Sequence, residues 1–294
     1  SAEFFTCVLT QEGSPDFLVR CRKRPGNPFL PCNLAPRTAR LPNTRLETFV
    51  FACQDIDALV RLQSGRGVRF MTPGPLRRSG YDFIQTAPSA FTGNSLGFIH
   101  WKGAHGEYLH EEAREVPMIF VKPARPYLSD VGLLDHAATR VKAEHRDDAI
   151  LEFMGLTEYD FDFAIHVETL NSITSVARKE GEEYAQVFTS GITPFTDMGG
   201  SGPTERFIRN FGPRVHHMAF RTQSLDAVFA GLSRDGMRFL ADPVGSPHEG
   251  LRQVFTEAAA STFLVTEYIQ RFGGFDGFFT KSNVTELTRA TDRQ

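Results

Sequence analysis

Residues 46–71, LETFVFACQDIDALVRLQSGRGVRFM, align without gaps on residues 215–240, VHHMAFRTQSLDAVFAGLSRDGMRFL, at a constant offset of 169. The identical pairs Phe51/Phe220, Gln54/Gln223, Asp57/Asp226, Ala58/Ala227, Ser64/Ser233, Gly67/Gly236, Arg69/Arg238 and Phe70/Phe239 mark an internal repeat. Self-similarity of this kind decides the architecture before any single element does. Each copy reads as a strand, a helix capped by Asp or Ser, then a glycine and a second short strand. The helices over Ile56–Gln63 and Leu225–Leu232 carry apolar residues at helical spacing, and Gly67 and Gly236 stand where a left-handed residue would end them.

Beyond each copy the pattern continues as strands: Tyr81–Thr86 and Leu96–Trp101 after the first, Leu251–Thr256 and Phe263–Gln270 after the second. One repeat half is therefore βαβββ. Upstream of the second copy a matching half reads as strand Leu133–Val141, helix Arg146–Met154 and strands Phe161–Glu168 and Ser172–Arg178 around the turn Thr169–Asn171. Upstream of the first copy only a hairpin is legible, Phe4–Leu9 with Phe17–Arg22, without a leading strand and helix. The expectation is an α+β chain of tandem βαβββ modules forming two curved sheets, the first module truncated or degenerate. Its domains are 1–125 and 126–294, with residues 23–45 a Pro-, Arg- and Asn-rich loop and residues 103–130 the connector.

A chain of 294 residues with 41% hydrophobic and 23% charged residues is large enough for one large or two medium domains, each with its own core. Lys and Arg number 32 against 35 Asp and Glu and are scattered along the chain, so neither nucleic acid nor an anionic membrane is the expected partner. A small molecule is, and self-association into a homo-oligomer is compatible with this composition. No run approaches the roughly 18 apolar residues of a membrane helix, and no charged-then-apolar leader opens the sequence. Cys7, Cys21, Cys32 and Cys53 lack CxxC spacing, which reads as reduced thiols of a cytoplasmic protein and not as zinc ligands. Phe occurs 27 times against a single Trp, so the aromatic content supplies apolar bulk for a core or a Phe-lined pocket.

Placement selects among the nine histidines. His136 stands on the first strand of the second module, His217 on the strand opening its repeat half, and Glu267 on its last strand. A curved sheet of two βαβββ halves sets the first strands side by side and closes with the last ones, so these three side chains can converge. Two imidazoles and one carboxylate are the facial set that suits non-haem Fe(II), with zinc, manganese or cobalt as other occupants. Strand parity puts His217 and Val215 on one face and His216 on the other, so at most one of the two histidines is an inward ligand. Glu267 lies in the apolar strand FLVTEYIQR, where a buried carboxylate needs a partner and a metal is one. Taken singly, each of the three could be structural, with Glu267 paired to an arginine such as Arg271. At the matching positions the first module has Thr48 and, one residue further in offset, Gly97, so that module is expected to be metal-free.

His100, His105 and His110, with Glu107, Glu111 and Glu112, form a rival cluster that reads as a solvated connector, while His145, His166 and His248 have no partner pattern. GxSxG, GxxxxGK[ST] and GxGxxG are absent, and MGGSGP at Met198–Pro203 reads as a loop before the helical stretch Thr204–Phe211.

The stretches LLDHAATRV, VHHMAFRTQSLDAVFAGLSRDGMRFL, LRQVFTE, FLVTEYIQRFGG and FFTKSNVTELTRA resemble, in order, 4-hydroxyphenylpyruvate dioxygenase and its relatives in the vicinal oxygen chelate superfamily. The resemblance covers residues 131–290, with a weaker echo in the first module. It implies that His136, His217 and Glu267 are the iron ligands and the catalytic centre. It implies substrate contacts at Ser172, Gln253, His216, Phe278 and Phe279, with a closing helix around Ser282–Ala290. The chemistry it implies is chelation of a 2-oxo acid by Fe(II), with dioxygen as co-substrate, oxidative decarboxylation and hydroxylation.

Departures from the family bear on the substrate. The segment Pro-Ile-Asn-Glu-Pro, whose Asn helps hold the aromatic substrate, is replaced by Gln186–Ser190. The Gln before the second histidine is His216, and the segment from Phe239 to Gln253 is short. A site built around particular donors discriminates strongly, so their loss favours another 2-oxo acid. An extradiol ring-cleaving dioxygenase uses the same ligands and would need His216 or His248 as acid/base. A non-catalytic small-molecule binding module is the third class on this scaffold.

Overall fold

The pairing of strands repeats as the sequence does. In the computed structural model, which describes residues 3–117, 121–181, 184–197, 199–273, 275 and 277–294, the chain divides into two compact units. One comprises residues 1–31 and 47–122; the other comprises residues 32–46 and 123–294, so the latter part of the Pro- and Arg-rich loop clusters with the C-terminal unit.

The first unit holds a hairpin of β1 (Phe4–Leu9) and β2 (Phe17–Arg22), then β3 (Thr48–Ala52), α1 (Ile56–Gly65), β4 (Leu76–Arg77), β5 (Tyr81–Gln85) and β6 (Ser95–Trp101). Its second sheet runs β3-β6-β5-β4, with β3 and β6 parallel. Among the described residues, no further strand or α-helix precedes β3 apart from the hairpin, so this unit contains one βαβββ half.

The second unit contains both halves: β7 (Val131–Arg140), α2 (Arg146–Leu156), β8 (Asp160–Val167), β9 (Ser172–Arg178) and β10 (Ala185–Ser190), then α3 (Pro203–Phe211), β11 (Arg214–Thr222), α4 (Leu225–Arg234), β12 (Val244–Ser246), β13 (Leu251–Phe255), β14 (Val265–Arg271) and α5 (Lys281–Ala290). Its eight-stranded sheet runs β12-β13-β14-β11-β7-β10-β9-β8 and curls into a half-barrel. The two leading strands β7 and β11 meet antiparallel at the centre, each flanked by the last strand of its own half, parallel to it. That arrangement brings β7, β11 and β14 side by side. The first unit repeats the order of the second half, β11-β14-β13-β12.

Local chemistry explains the repeated helices. Asp55 and Ser224 accept from the backbone N–H groups of Ala58 and Ala227, satisfying donors that each helix start leaves free. Gly67 and Gly236 take φ of 87° and 89°, a left-handed conformation that a side chain would strain. The short strand expected straight after each glycine is only a single bridge, Phe70 to Thr86 and Phe239 to Thr256; the paired strands β4 and β12 form several residues later. Asn171 takes φ of 44° in the turn between β8 and β9.

Ala138, Val176, Ala185 and Val187 pack with Phe278 on the inner face of the sheet. Leu240, Phe255 and Val265 pack with Leu287 and Ala290 of α5, so the last helix covers that face from the open side. The four cysteines are free thiols, and among the described residues no helix is long and apolar enough to cross a membrane.

Candidate metal centre

His136 of β7, His217 of β11 and Glu267 of β14 come together on the inner face of the half-barrel, all three buried. One ligand atom from each lies within 4.8 Å of the others. His136 Nε2 is 3.0 Å and His217 Nε2 3.3 Å from the same Glu267 oxygen, Oε2. Donor atoms bonded to one octahedral ion at about 2.1 Å sit about 3 Å apart, so these separations suit a shared cation.

The hydrogen bonds behind the candidate ligands fix which nitrogen faces inward. His136 Nδ1 donates to Asp135 Oδ1 at 2.8 Å, which leaves Nε2 as a bare lone pair aimed at a carboxylate. That Nε2 and Glu267 Oε1 are buried atoms without a hydrogen-bond partner. Two acceptors facing each other in a dry interior need a positive charge between them. Without a metal a proton fills that need: burial opposes a charged His136, but the Glu267 carboxylate and the Asp135 hydrogen bond outweigh it and push its pKa up to about 9. Burial also pushes Glu267 up. A divalent cation is the stronger substitute for that proton.

Asp135 is a residue that sequence reasoning missed. It is fully buried, and it accepts from Arg221 Nε at 2.9 Å and from Arg271 through both Nε at 2.9 Å and Nη2 at 2.7 Å, besides holding His136. Burial would raise its pKa, yet the Arg271 and His136 hydrogen bonds hold it below the ordinary carboxylate range. Arg271 therefore pairs with Asp135, so the alternative in which Glu267 is a structural carboxylate paired to Arg271 finds no support. The signal was local: an Asp directly before a candidate ligand histidine.

Strand parity also failed at one point. Val215 pairs with Thr139 and His217 with Ala138, so β11 places two residues against one and carries a β-bulge at His216. The bulge turns His216 to the same side as His217, and their Nδ1 atoms lie 2.7 Å apart. With His217 Nε2 turned toward Glu267 as a lone pair, His217 Nδ1 donates; His216 Nδ1 then accepts, and His216 Nε2 donates to Gln294 Oε1 at 2.8 Å. Burial first, then nearby positive charge including Arg140, keeps both imidazoles well below the usual range and neutral.

A cavity of about 50 Å³ opens on the triad, with His216, Gln253, Phe255 and Phe279 in its wall. Val284, Leu287 and Thr288 of α5 cover it. Gln253 is 1% exposed, and its Nε2 has no partner. The Phe279 ring lies 5.1 Å from His136. Phe278 packs 5.7 Å from the same imidazole, in the cluster with Ala138 and Val187, and is not among the residues that line the cavity. Ser172 is buried with an unpartnered Oγ and lies two residues before the lining residue Thr174, outside the wall itself.

The fold has a counterpart of known structure. A triply substituted variant of 4-hydroxymandelate synthase from Streptomyces coelicolor superposes with a TM-score of 0.69 over 99% of this chain and 87% of its own, at 19% identity. The fold is the vicinal-oxygen-chelate fold. A hypothetical protein from Bacillus halodurans (TM-score 0.40, 15% identity) and methylmalonyl-CoA epimerase from Mycobacterium tuberculosis (TM-score 0.38, 17% identity) cover 49% and 47% of this chain, and 97% and 87% of their own. The sequence matches no protein-family model and no curated protein.

Within the vicinal-oxygen-chelate fold the remaining candidates separate clearly. Gln186–Ser190 is strand β10: Gln186 faces away from the cavity, donating to Thr139 Oγ1, whereas Val187 and Thr189 line it. His248 is exposed on a 3-10 turn and does not reach the wall. In the first unit, Thr48 and Gly97 occupy the positions of His217 and Glu267. A Cβ on Gly97 would meet the Phe83 ring at 3.0 Å, so no carboxylate fits there. His100 Nδ1 lies 3.0 Å from the Cys53 carbonyl, and His105 is exposed. Of the MGGSGP stretch, Met198 lies outside the described residues, and Pro203 begins α3.

Proposed function

We propose that this protein is a non-haem Fe(II) dioxygenase acting on a 2-oxo acid, 4-hydroxyphenylpyruvate or an analogue. The observation that carries the reading is the pair of unpartnered buried atoms, His136 Nε2 and Glu267 Oε1, in a two-histidine, one-carboxylate set. Three protein ligands on one side leave positions for a chelating substrate and for dioxygen. When bound, Fe(II) supplies the redox chemistry of oxidative decarboxylation and hydroxylation. The chain's own residues do the rest. Asp135 and His216 fix the tautomers of the two histidine ligands. Gln253 presents a free N–H to an oxygen of the substrate, and Phe255 and Phe279 keep water from the cavity. The 4-hydroxymandelate synthase likeness supports the scaffold for such chemistry.

Ring cleavage finds less support, because both nitrogens of His216 are engaged, by His217 and by Gln294, and His248 lies outside the cavity. The test is oxygen uptake by Fe(II)-loaded protein across a panel of 2-oxo acids, with carbon dioxide followed in parallel. Equal uptake and release on one acid is the expected result. Uptake without release would turn the reading to ring cleavage, and a protein that binds neither metal nor 2-oxo acid would overturn it.

A further inference from the structure

The cavity has a second end. Arg140 follows His136 by four residues on β7, so both project from the same face of the strand, their Cα atoms about 13 Å apart at the usual rise. Arg140 is 4% exposed, and its guanidinium lies 4.5 Å over the Phe207 ring. Nη2 donates to Thr291 Oγ1 at 2.9 Å, and Nη1 lines up with nothing: it is buried without a hydrogen-bond partner. Among the described residues no carboxylate pairs with Arg140, and Glu267 is the only carboxylate in the cavity wall. Burial is the one influence on its pKa, lowering it to about 9, so it is charged at neutral pH.

An unpaired cation in a dry interior is among the costliest arrangements a fold can keep. A strand position that tolerated Val or Leu would carry one unless the charge had a use. Hydroxyls surround it. Register sets Thr189 of β10 beside Arg140 and Thr174 of β9 beside Thr189, and Thr204, Thr288 and Thr291 complete that end of the wall. Thr291 gives its own proton to the Thr288 carbonyl, leaving its oxygen to accept from Arg140.

We propose that Arg140 and these threonines form a subsite for a second anionic group on the substrate, distal to the group that chelates the metal. The substrate is then a 2-oxo acid bearing a further carboxylate or a similarly charged oxyanion. Arg140 is the specificity residue, through charge-assisted hydrogen bonds in a low-dielectric pocket. This inference rests on the dioxygenase reading for the metal end alone.

The test is anaerobic calorimetry on Mn(II)-loaded protein. The probes are 2-oxoglutarate, 2-oxoadipate, 2-oxopimelate and 4-carboxyphenylpyruvate, each against the analogue with a methyl group in place of the distal carboxylate. At least one diacid is expected to bind about tenfold or more tighter than its methyl analogue. Arg140→Met should erase that gap, and Arg140→Lys should keep part of it. The melting temperature of Arg140→Met should hold or rise, because a buried unpaired charge is removed, whereas a purely structural arginine would lower it. Thr189→Val, which leaves the charge in place, should narrow the gap and serves as the second variant. Methyl analogues that bind as well as every diacid would overturn the subsite while leaving the dioxygenase reading intact. A gap that survives Arg140→Met, or an equal weakening of both series, would overturn it too. Binding of neither series to the metal-loaded protein would overturn the subsite and the dioxygenase reading together.

Discussion

Asp135 grips Arg271 at two points, Oδ1 to Nη2 at 2.7 Å and Oδ2 to Nε at 2.9 Å, while the same carboxylate accepts the Nδ1 proton of His136. Arg271 in turn donates through Nη1 to the Phe278 carbonyl at 2.8 Å and lies 4.3 Å over the Phe278 ring. One buried carboxylate thereby ties a candidate ligand on β7 to the end of β14 and to the segment leading into α5. Asp135→Asn keeps an acceptor for His136 but removes the charge that balances Arg271 and Arg221. Breaking a buried pair in this way costs about 3–5 kcal/mol. Metal affinity should fall roughly 10- to 100-fold, since an outer partner of a ligand histidine is weakened. Thermal melts and calorimetry on the variant check both values, and an unchanged melt would contradict the role given to the pair.

Metal removal gives the most direct check on the triad. A cation that binds the folded state alone stabilises it by about 2.7 kcal/mol at 100 times its dissociation constant. Adding Mn(II) or Fe(II) to metal-free protein should therefore raise the melting temperature, and EDTA should reverse the rise. Glu267→Ala and His217→Ala should abolish bound iron and the metal-dependent rise while leaving the fold largely intact, because Glu267 Oε1 is unpartnered without metal and His217 Nε2 faces only the Glu267 carboxylate. Full iron content in either variant would exclude that residue as a ligand.

The amount legible in the sequence followed from what periodicity can carry. The repeat at 46–71 and 215–240, the caps at Asp55 and Ser224 and the left-handed Gly67 and Gly236 are local features, and each appears in the structure. His136, His217 and Glu267 were legible because equivalent strands of the two halves are neighbours in the sheet. His216 was misread because alternation assumes an unbroken pleat, and a bulge at that residue leaves no mark in hydrophobicity. Asp135 and Arg140 were passed over for a different reason. The partners that give them meaning, Arg271 and Thr291, are more than a hundred residues away, so no local pattern marks either residue.

The bulge yields its own test. His216→Phe removes the acceptor for His217 Nδ1–H, so the ring loses the contact that orients Nε2 toward the metal. Metal affinity should drop roughly 10- to 100-fold. His216→Gln places an amide oxygen within reach of the same proton and should retain most of the affinity. Equal loss in both variants would mean that His216 acts by packing against Phe207 and Phe255, not by accepting that hydrogen bond.

A last expectation concerns pH and lies away from the metal. Glu205, at the start of α3, is buried and accepts through Oε1 from the backbone N–H groups of Gly191 at 2.8 Å and Ala143 at 3.2 Å, tying α3 to the end of β10 and to the turn before α2. Burial pushes its pKa above the ordinary carboxylate range, and the two amide hydrogen bonds only partly offset that. A carboxyl whose folded pKa exceeds its unfolded value binds more protons in the folded state. Its favourable contribution is therefore fully present below the unfolded pKa and is lost as pH rises through the folded one. Glu205→Gln keeps the Oε1 acceptor and has no charge to bury. Relative to the parent protein its melting temperature should rise as pH is taken from 4 to 8, with the two closest at the acid end. Melts of both proteins across that range measure it, and a variant that loses ground toward pH 8 would show that the two amide hydrogen bonds require the ionised carboxylate.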